Sequence, residues 1–272
     1  MTRIFAWCAL GLVTVLSSSV SAFTLQIEQD GTPILPWNSS SITFDVNSQD
    51  CVAAGVSVDR LNTVLDASIA LWNSVSNSSL QVSRGSSVTT TYAQITSQTT
   101  SGNPLVLCDS QLATDLSASI GSAYDTNNIP AVTRVLRVDS SGHIALAVVL
   151  VNAESSKSAA IQNLIDHGDL FGVVLAHEMG HALGLGHTQD KTALMYFDAS
   201  AKTKLSLSFD DWNGITYLYP RQELGSSLPF GCATVSGPGQ KPSPWGLGVV
   251  LGVCWMGWWV MRQRVRKFRL FS

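Results

Sequence analysis

Hydrophobic positions along the chain fall into segments of two periods. Ile42-Thr-Phe-Asp-Val46 alternates apolar and polar side chains, the pattern of a strand. From Ser57 to Val75 the period lengthens: Leu61, Val64, Leu65, Ile69 and Trp72 recur at three- and four-residue intervals, which predicts a helix with Ser57 or Asp59 as its N-cap. Ser76 to Pro104 is rich in Ser, Thr, Gln and Asn and reads as a loop-rich surface insertion with a strand expected at Leu80–Ser83. Two further strands are predicted at Ile129–Val138 and Ile144–Val151, separated by a turn at Asp139-Ser-Ser-Gly142. The second is apolar almost throughout, as a strand buried on both faces must be. A strong helix follows, capped by Asp169 and running to about Leu183. Ser208-Phe-Asp-Asp211 opens another, with Ser and Asp at capping-box spacing, and it ends before Pro220. Residues 221–244 are rich in glycine and proline and read as a linker.

Two terminal stretches stand outside this pattern. Residues 1–22 combine a basic start (Met-Thr-Arg), an apolar run from Ile4 to Leu16 and a small-x-small end at Val20-Ser21-Ala22, the layout of a secretory signal peptide. The mature chain is expected to start near Phe23; a retained N-terminal anchor is the other reading. From Trp245 to Met261 there are 17 residues without a charge. As a helix they reach roughly 25 Å, short for a span but adequate in a thin bilayer. The basic cluster Arg262-Gln-Arg-Val-Arg-Lys-Phe-Arg269 follows directly, so residues 262–272 form a cytoplasmic tail and the main domain, about 23–220, lies outside.

Charge sharpens the picture. All 19 acidic residues but only 10 basic ones fall between 23 and 244, so the exported part carries about −9 although the whole chain carries −3. Such a surface lacks the basic footprint that nucleic acid requires, and that class of partner is excluded. Of the five cysteines, Cys8 leaves with the signal and Cys254 sits in the apolar run. Cys51, Cys108 and Cys232 remain for an oxidising compartment. Cys51 with Cys108 is the favoured disulfide, leaving Cys232 unpaired, although spacing does not settle the connectivity.

The chemistry concentrates in His177-Glu178-Met179-Gly180-His181-Ala182-Leu183-Gly184-Leu185-Gly186-His187. On a helix, residues four apart share a face, so His177 and His181 can aim imidazole nitrogens at one ion. Gly184 lets the backbone leave the helix sharply and return His187 as a third ligand. Three neutral imidazoles with a fourth position open describe a catalytic zinc site and not a closed structural one. Glu178, one residue on from His177, reaches the attacking water without being a ligand, which suits it to act as general base. His143 reads as a turn residue, His167 as a solvated one, and Trp72 and Trp212 as core.

The stretch Val174-Leu-Ala-His177-Glu-Met-Gly-His-Ala-Leu-Gly-Leu-Gly-His187, followed by Ala193-Leu-Met-Tyr196, resembles the matrixin family of metzincins. The resemblance implies an α+β domain: a twisted mixed sheet, a zinc-binding helix and a C-terminal helix. It implies one catalytic zinc ion, hydrolysis of internal peptide bonds in an extended protein or peptide substrate, and Met195 as an apolar floor beneath the metal. Leu205 to Tyr219 resembles the family's closing helix, and Ala147 to Asn152 looks like the central strand of bacterial matrixin-like proteins. The similarity covers about residues 144–220. Several features depart from the family. No Pro-Arg-Cys-Gly segment is present to plug the metal. His143 and His167 are too few to rebuild a second, structural zinc site, so its absence is expected. Calcium, which the resemblance also allows, has no assignable ligands. Thr188 replaces the usual Ser, and Phe197 stands where animal members carry Pro, which predicts a differently shaped specificity pocket.

Gly231-Cys-Ala-Thr-Val235, the linker, the apolar run and the basic end resemble the C-terminal sorting signals of bacterial surface proteins. That resemblance implies a membrane-bound sorting protease as partner and Cys232 as the processed position. A permanent membrane anchor is the alternative. Two other functional readings compete with the protease: a surface binding or adhesion module that keeps zinc for structure, and a zinc hydrolase acting on non-protein amides. Glu178 argues against the first, since a structural site has no use for that carboxylate.

Overall fold

The computed structural model describes residues 23–221 apart from 29, 122, 124, 155–161, 163, 166–167 and 199–201. Residues 1–22, expected to be a signal peptide, and most of the expected linker, the apolar run 245–261, the basic tail, Cys232 and His167 lie outside the described residues. No helix among the described residues is long and apolar enough to cross a membrane.

The elements run β1 (Ser41–Asn47), α1 (Gln49–Ala53), α2 (Val58–Asn73), β2 (Gln81–Ser87), α3 (Tyr92–Ser97), β3 (Leu105–Asp109), α4 (Leu112–Ile120), β4 (Ala131–Val138), β5 (Ile144–Asn152), α5 (Gly168–Ala182) and α6 (Phe209–Leu218). This is an α+β fold. The five strands form one sheet in the order β2-β1-β3-β5-β4. β1, β2, β3 and β5 pair in parallel, and β4 runs antiparallel to β5 at the edge.

β5 shows why its sequence has no polar alternation. Ala147, Val149 and Val151 pack into the core shared with α2 and α5, while Leu146, Val148 and Leu150 pack into a second core with Tyr92 and Ile95 of α3 and Leu112 and Leu116 of α4. Both faces are covered, so all nine residues are buried. α2 buries Leu61, Val64, Leu65, Ile69 and Trp72, and the Ser57 side chain accepts the Arg60 N–H as its N-cap. α6 opens with the capping box formed by Ser208 and Asp211.

Two expectations need correction. Within the polar stretch 76–104 the strand expected at Leu80–Ser83 is present as the edge strand β2, longer than expected, and the stretch also supplies a helix, α3, where loop was expected. β2 buries only Val82 in full, so its sequence carries no alternation. α3 is set by a capping box between Thr91 and Gln94. The helix expected to be capped by Asp169 begins at Gly168, which puts Asp169 in the first turn, where its carboxylate faces the positive end of the helix dipole. β3 and α4 had no forecast. β3 is buried along its whole length and too short to show a period.

The start of α4 is held by carboxylates from other elements. Ser110 N–H donates to Asp50 Oδ2 (3.0 Å), Gln111 N–H to Asp109 Oδ1 (2.8 Å) and Ala113 N–H to Glu154 Oε1 (3.0 Å). A disulfide joins Cys51 of α1 to Cys108 of β3, with Cα atoms 5.1 Å apart and 57 positions between them in sequence. Closing a loop of that length stabilises the fold by about 4 kcal/mol on the chain-entropy account.

Beside this disulfide, Asp109 is buried and its Oδ2 has no hydrogen-bond donor. Burial pushes its carboxyl up to about 7, with Asp115 and Asp50 adding like-charge repulsion against the favourable Gln111 N–H. The unfolded chain ionises this group near pH 4 and the folded chain near pH 7, so the unfolded state holds fewer protons in between and stability falls as pH rises through that window. Asp109→Asn should therefore match the wild type near pH 4 and exceed it in melting temperature at pH 7–8. A variant that is equally or less stable at pH 8 would contradict this account.

Candidate active site

α5 crosses the core with every residue from Phe171 to Ala182 buried, so it is apolar on all sides except where His177, Glu178 and His181 stand. The two histidines sit one turn apart with ring centroids separated by 4.8 Å and planes nearly perpendicular. The helix ends in a Schellman arrangement: Leu185 N–H reaches back to Gly180 O and Gly184 N–H to His181 O, both at 3.0 Å. Gly184 takes φ +108, which a side chain would resist. Trp37 Nε1 donates to Ala182 O (2.8 Å) and the Tyr219 hydroxyl to Leu183 O (2.7 Å), satisfying carbonyls that a helix end leaves unpaired. The chain turns at Gly184 and brings His187 back over the helix.

The three imidazoles converge through their Nε2 atoms. His187 Nε2 lies 3.3 Å from His177 Nε2 and 3.1 Å from His181 Nε2. His177 Nδ1 sits 2.7 Å from Leu194 O and His181 Nδ1 2.8 Å from Leu185 O. A carbonyl only accepts, so each Nδ1 carries the proton and each Nε2 presents a lone pair. Zinc–nitrogen bonds of about 2.0–2.1 Å in a tetrahedron set nitrogens roughly 3.3 Å apart, so the donor set fits a zinc ion. Burial, and for His177 also neighbouring His181, holds both rings down to about 4. Burial lowers His187 as well, although it stays exposed toward the cleft. Neutral imidazole is the form a metal needs.

The floor is built from two segments. Met195 is buried beneath α5, so close to Gly180 of that helix that a Cβ on Gly180 would collide with Met195 Sδ and with Trp72. Trp72 Nε1 donates to Ala176 O at 3.0 Å, fastening α2 to α5. Asp211 of α6 accepts the N–H groups of Leu194 (2.7 Å), Met195 (3.0 Å) and Ser208 (2.7 Å). Its position in a capping box was readable; its grip on residues 194–195 was not.

Glu178 lies beside the triad, 8% exposed, and burial pushes its carboxyl up while His177 and Thr133 pull it back. The Thr133 hydroxyl stands 2.8 Å from both Glu178 O and Glu178 Oε2. No sequence signal distinguished this threonine. A cleft of about 900 Å³ opens over these groups and is lined by the N-terminal segment 24–27, by residues 128–133 and by Phe197 and Asp198. Leu25 bridges antiparallel to Leu185. Asn152 Nδ2 donates to Thr126 O and Ile129 O, and the Thr126 hydroxyl to Glu154 Oε2, which fixes the rim at 126–130. Of the other predicted residues, His143 closes the turn onto Pro36 O, Trp72 is fully buried and Trp212 is partly buried against the core.

A family model described as Matrixin matches residues 36–220, more than half of the 272 residues. Stromelysin-3 of Rattus norvegicus is 48% identical over 56 residues, which are 21% of this chain and 11% of that protein. Matrix metalloproteinase-18 of Xenopus laevis is 39% identical over 84 residues, 28% of this chain and 16% of that protein. Metalloendoproteinase 4-MMP of Arabidopsis thaliana is 34% identical over 94 residues, 31% of this chain and 28% of that protein. The chain thus spans only a minor part of these relatives. The crystal structure of metalloproteinase-II from Bacteroides fragilis aligns at 15% identity with a TM-score of 0.36, covering 70% of this chain and 56% of that one. The family implies zinc, and the His177–His181–His187 cluster is consistent with a zinc site. Because the Matrixin match encloses the sheet, the histidine helix and α6, this chain belongs to the matrixin family.

Proposed function

We propose that this domain is a zinc-dependent endopeptidase that hydrolyses internal bonds of extended polypeptides. The observation that carries the reading is the placement of Glu178 on the same buried helix as His177 and His181, facing the same cleft without being one of the three convergent ligands. His177, His181 and His187 would hold a zinc ion through their Nε2 atoms, and that ion would supply Lewis acidity toward a carbonyl and toward water. Glu178 accepts the proton of the attacking water and passes it to the leaving amine. Met195 packs under the helix as an apolar support and donates no ligand.

The sheet edge suggests how substrate lies. Among the described residues β4 pairs only with β5, and Ala131, Val132 and Thr133 of β4 line the cleft. An extended peptide added to this edge gains main-chain hydrogen bonds and is carried past the histidines. Leu25, Ile27, Ile129, Val132 and Phe197 offer apolar contacts, and among the described residues Glu178 and Asp198, both acidic, line the cleft. Substrates with apolar or basic side chains near the cut bond suit this lining.

The Cys51–Cys108 bridge belongs to an oxidising compartment and supports export. We read the chain as membrane-anchored through 245–261 with this domain outside, in a bacterial-type setting. Retention of the anchor predicts that the mature protein, isolated from membranes, has an intact mass matching Phe23–Ser272. A mass ending near Cys232 would replace the permanent anchor with C-terminal processing by a sorting protease.

For the chemistry, the full chain and its Glu178→Ala variant are compared for cleavage of unfolded protein and for zinc content. The expectation is a loss of about 10²–10⁴-fold in turnover with zinc unchanged at one per chain. Zinc in both with no cleavage by the wild type would favour a binding module, and cleavage of a non-protein amide alone would favour the amidase reading.

A further inference from the structure

Thr133 occupies the third position of β4, on the edge strand that lines the cleft, and its hydroxyl is equidistant at 2.8 Å from the main-chain carbonyl and from Oε2 of Glu178. A threonine hydroxyl has one hydrogen to donate, and a β-branched side chain has few χ1 settings, so the donor is held in place by the strand. We infer that Thr133 is a positioning residue: it holds the Glu178 carboxylate by Oε2 and leaves Oε1 as the oxygen that takes the water proton. This inference rests on the reading of Glu178 as general base.

The two acceptors give the arrangement its use. Glu178 alternates between a charged carboxylate and a neutral acid as it takes a proton from water and returns it to the leaving amine. While charged, it is buried and needs a donor, which Thr133 supplies. When it becomes neutral, its demand on that donor weakens, and the hydroxyl has the Glu178 carbonyl at the same distance as a second partner. Thr133 keeps its own hydrogen throughout, so the proton balance of the reaction involves only water, Glu178 and the amine. Both groups sit on rigid elements, β4 and α5, so the carboxylate orientation is fixed before substrate arrives, as a preorganised site requires.

The test compares Thr133→Val, which keeps the branched shape and removes the hydroxyl, with Thr133→Ser, which restores it, in the full chain. Glu178→Ala is measured alongside on the same extended peptide substrate. Turnover (kcat) of Thr133→Val should fall about 10- to 100-fold, the effect of losing a hydrogen bond to a charged group, with KM within about twofold. Zinc should stay at one per chain, the Val variant should remain folded at the assay temperature, and Thr133→Ser should keep kcat within about threefold of the wild type. Wild-type kcat in Thr133→Val overturns the assignment. So does an equal loss in Ser and Val, or a loss that comes with a raised KM or missing zinc, because either marks a purely structural role. If Glu178→Ala is inactive while Thr133→Val is unimpaired, only the Thr133 assignment falls. If Glu178→Ala cleaves as fast as the wild type, the general-base reading itself has failed and takes this inference with it.

Discussion

Asp211 accepts three backbone N–H groups at once and is 1% exposed. Burying a carboxylate costs several kcal/mol unless its oxygens are satisfied, so this residue is stable only where those three donors meet it. The donors come from two places: Ser208 at the start of α6, and Leu194 and Met195 beneath α5. Asp211 therefore fastens the closing helix to the floor of the site. Leu194 in turn presents its carbonyl to His177 Nδ1, which fixes that ring's tautomer and points Nε2 toward the other two histidines. The aim of one metal-binding nitrogen thus depends on a carboxylate that never touches it.

The other two rings are aimed by backbone geometry. His181 donates to Leu185 O, and Leu185 lies where it does because Gly184 adopts a left-handed conformation that closes the helix. The same turn returns His187. Its position is braced from outside by the N-terminal segment: Gly186 N–H donates to Thr24 O (2.8 Å), and the Thr24 hydroxyl bonds His187 O. Sheet, α2 and α6 thus serve one end, which is to hold a short, bent stretch of chain against a helix that is buried on all sides.

Much of this was legible in the sequence because the signals are local. The spacing of His177, His181 and His187, the glycine at 184, the helical period of 58–73 and the capping box at Ser208–Asp211 all depend on residues within a few positions of each other. β5 was legible for a different reason, its unbroken apolar run. What escaped the sequence depends on distant partners. A strand was expected at Leu80–Ser83, but its extension to Ser87 and its pinning by Asn73, whose side chain donates to Val82 O and accepts from Val82 N–H, were not. The cap of α4 is assembled from Asp50, Asp109 and Glu154, which only the folded chain brings together. Thr133 looks like any strand threonine until α5 is laid against β4.

The proposed chemistry stands or falls on three imidazoles holding one zinc ion with a fourth position left to solvent. X-ray absorption spectroscopy on the zinc-loaded full chain reads the coordination shell directly. Four light-atom neighbours at about 2.0–2.1 Å are expected, three of them showing the outer-shell scattering of imidazole, and no sulfur. A sulfur neighbour near about 2.3 Å, or a fourth imidazole closing the shell, would contradict that chemistry.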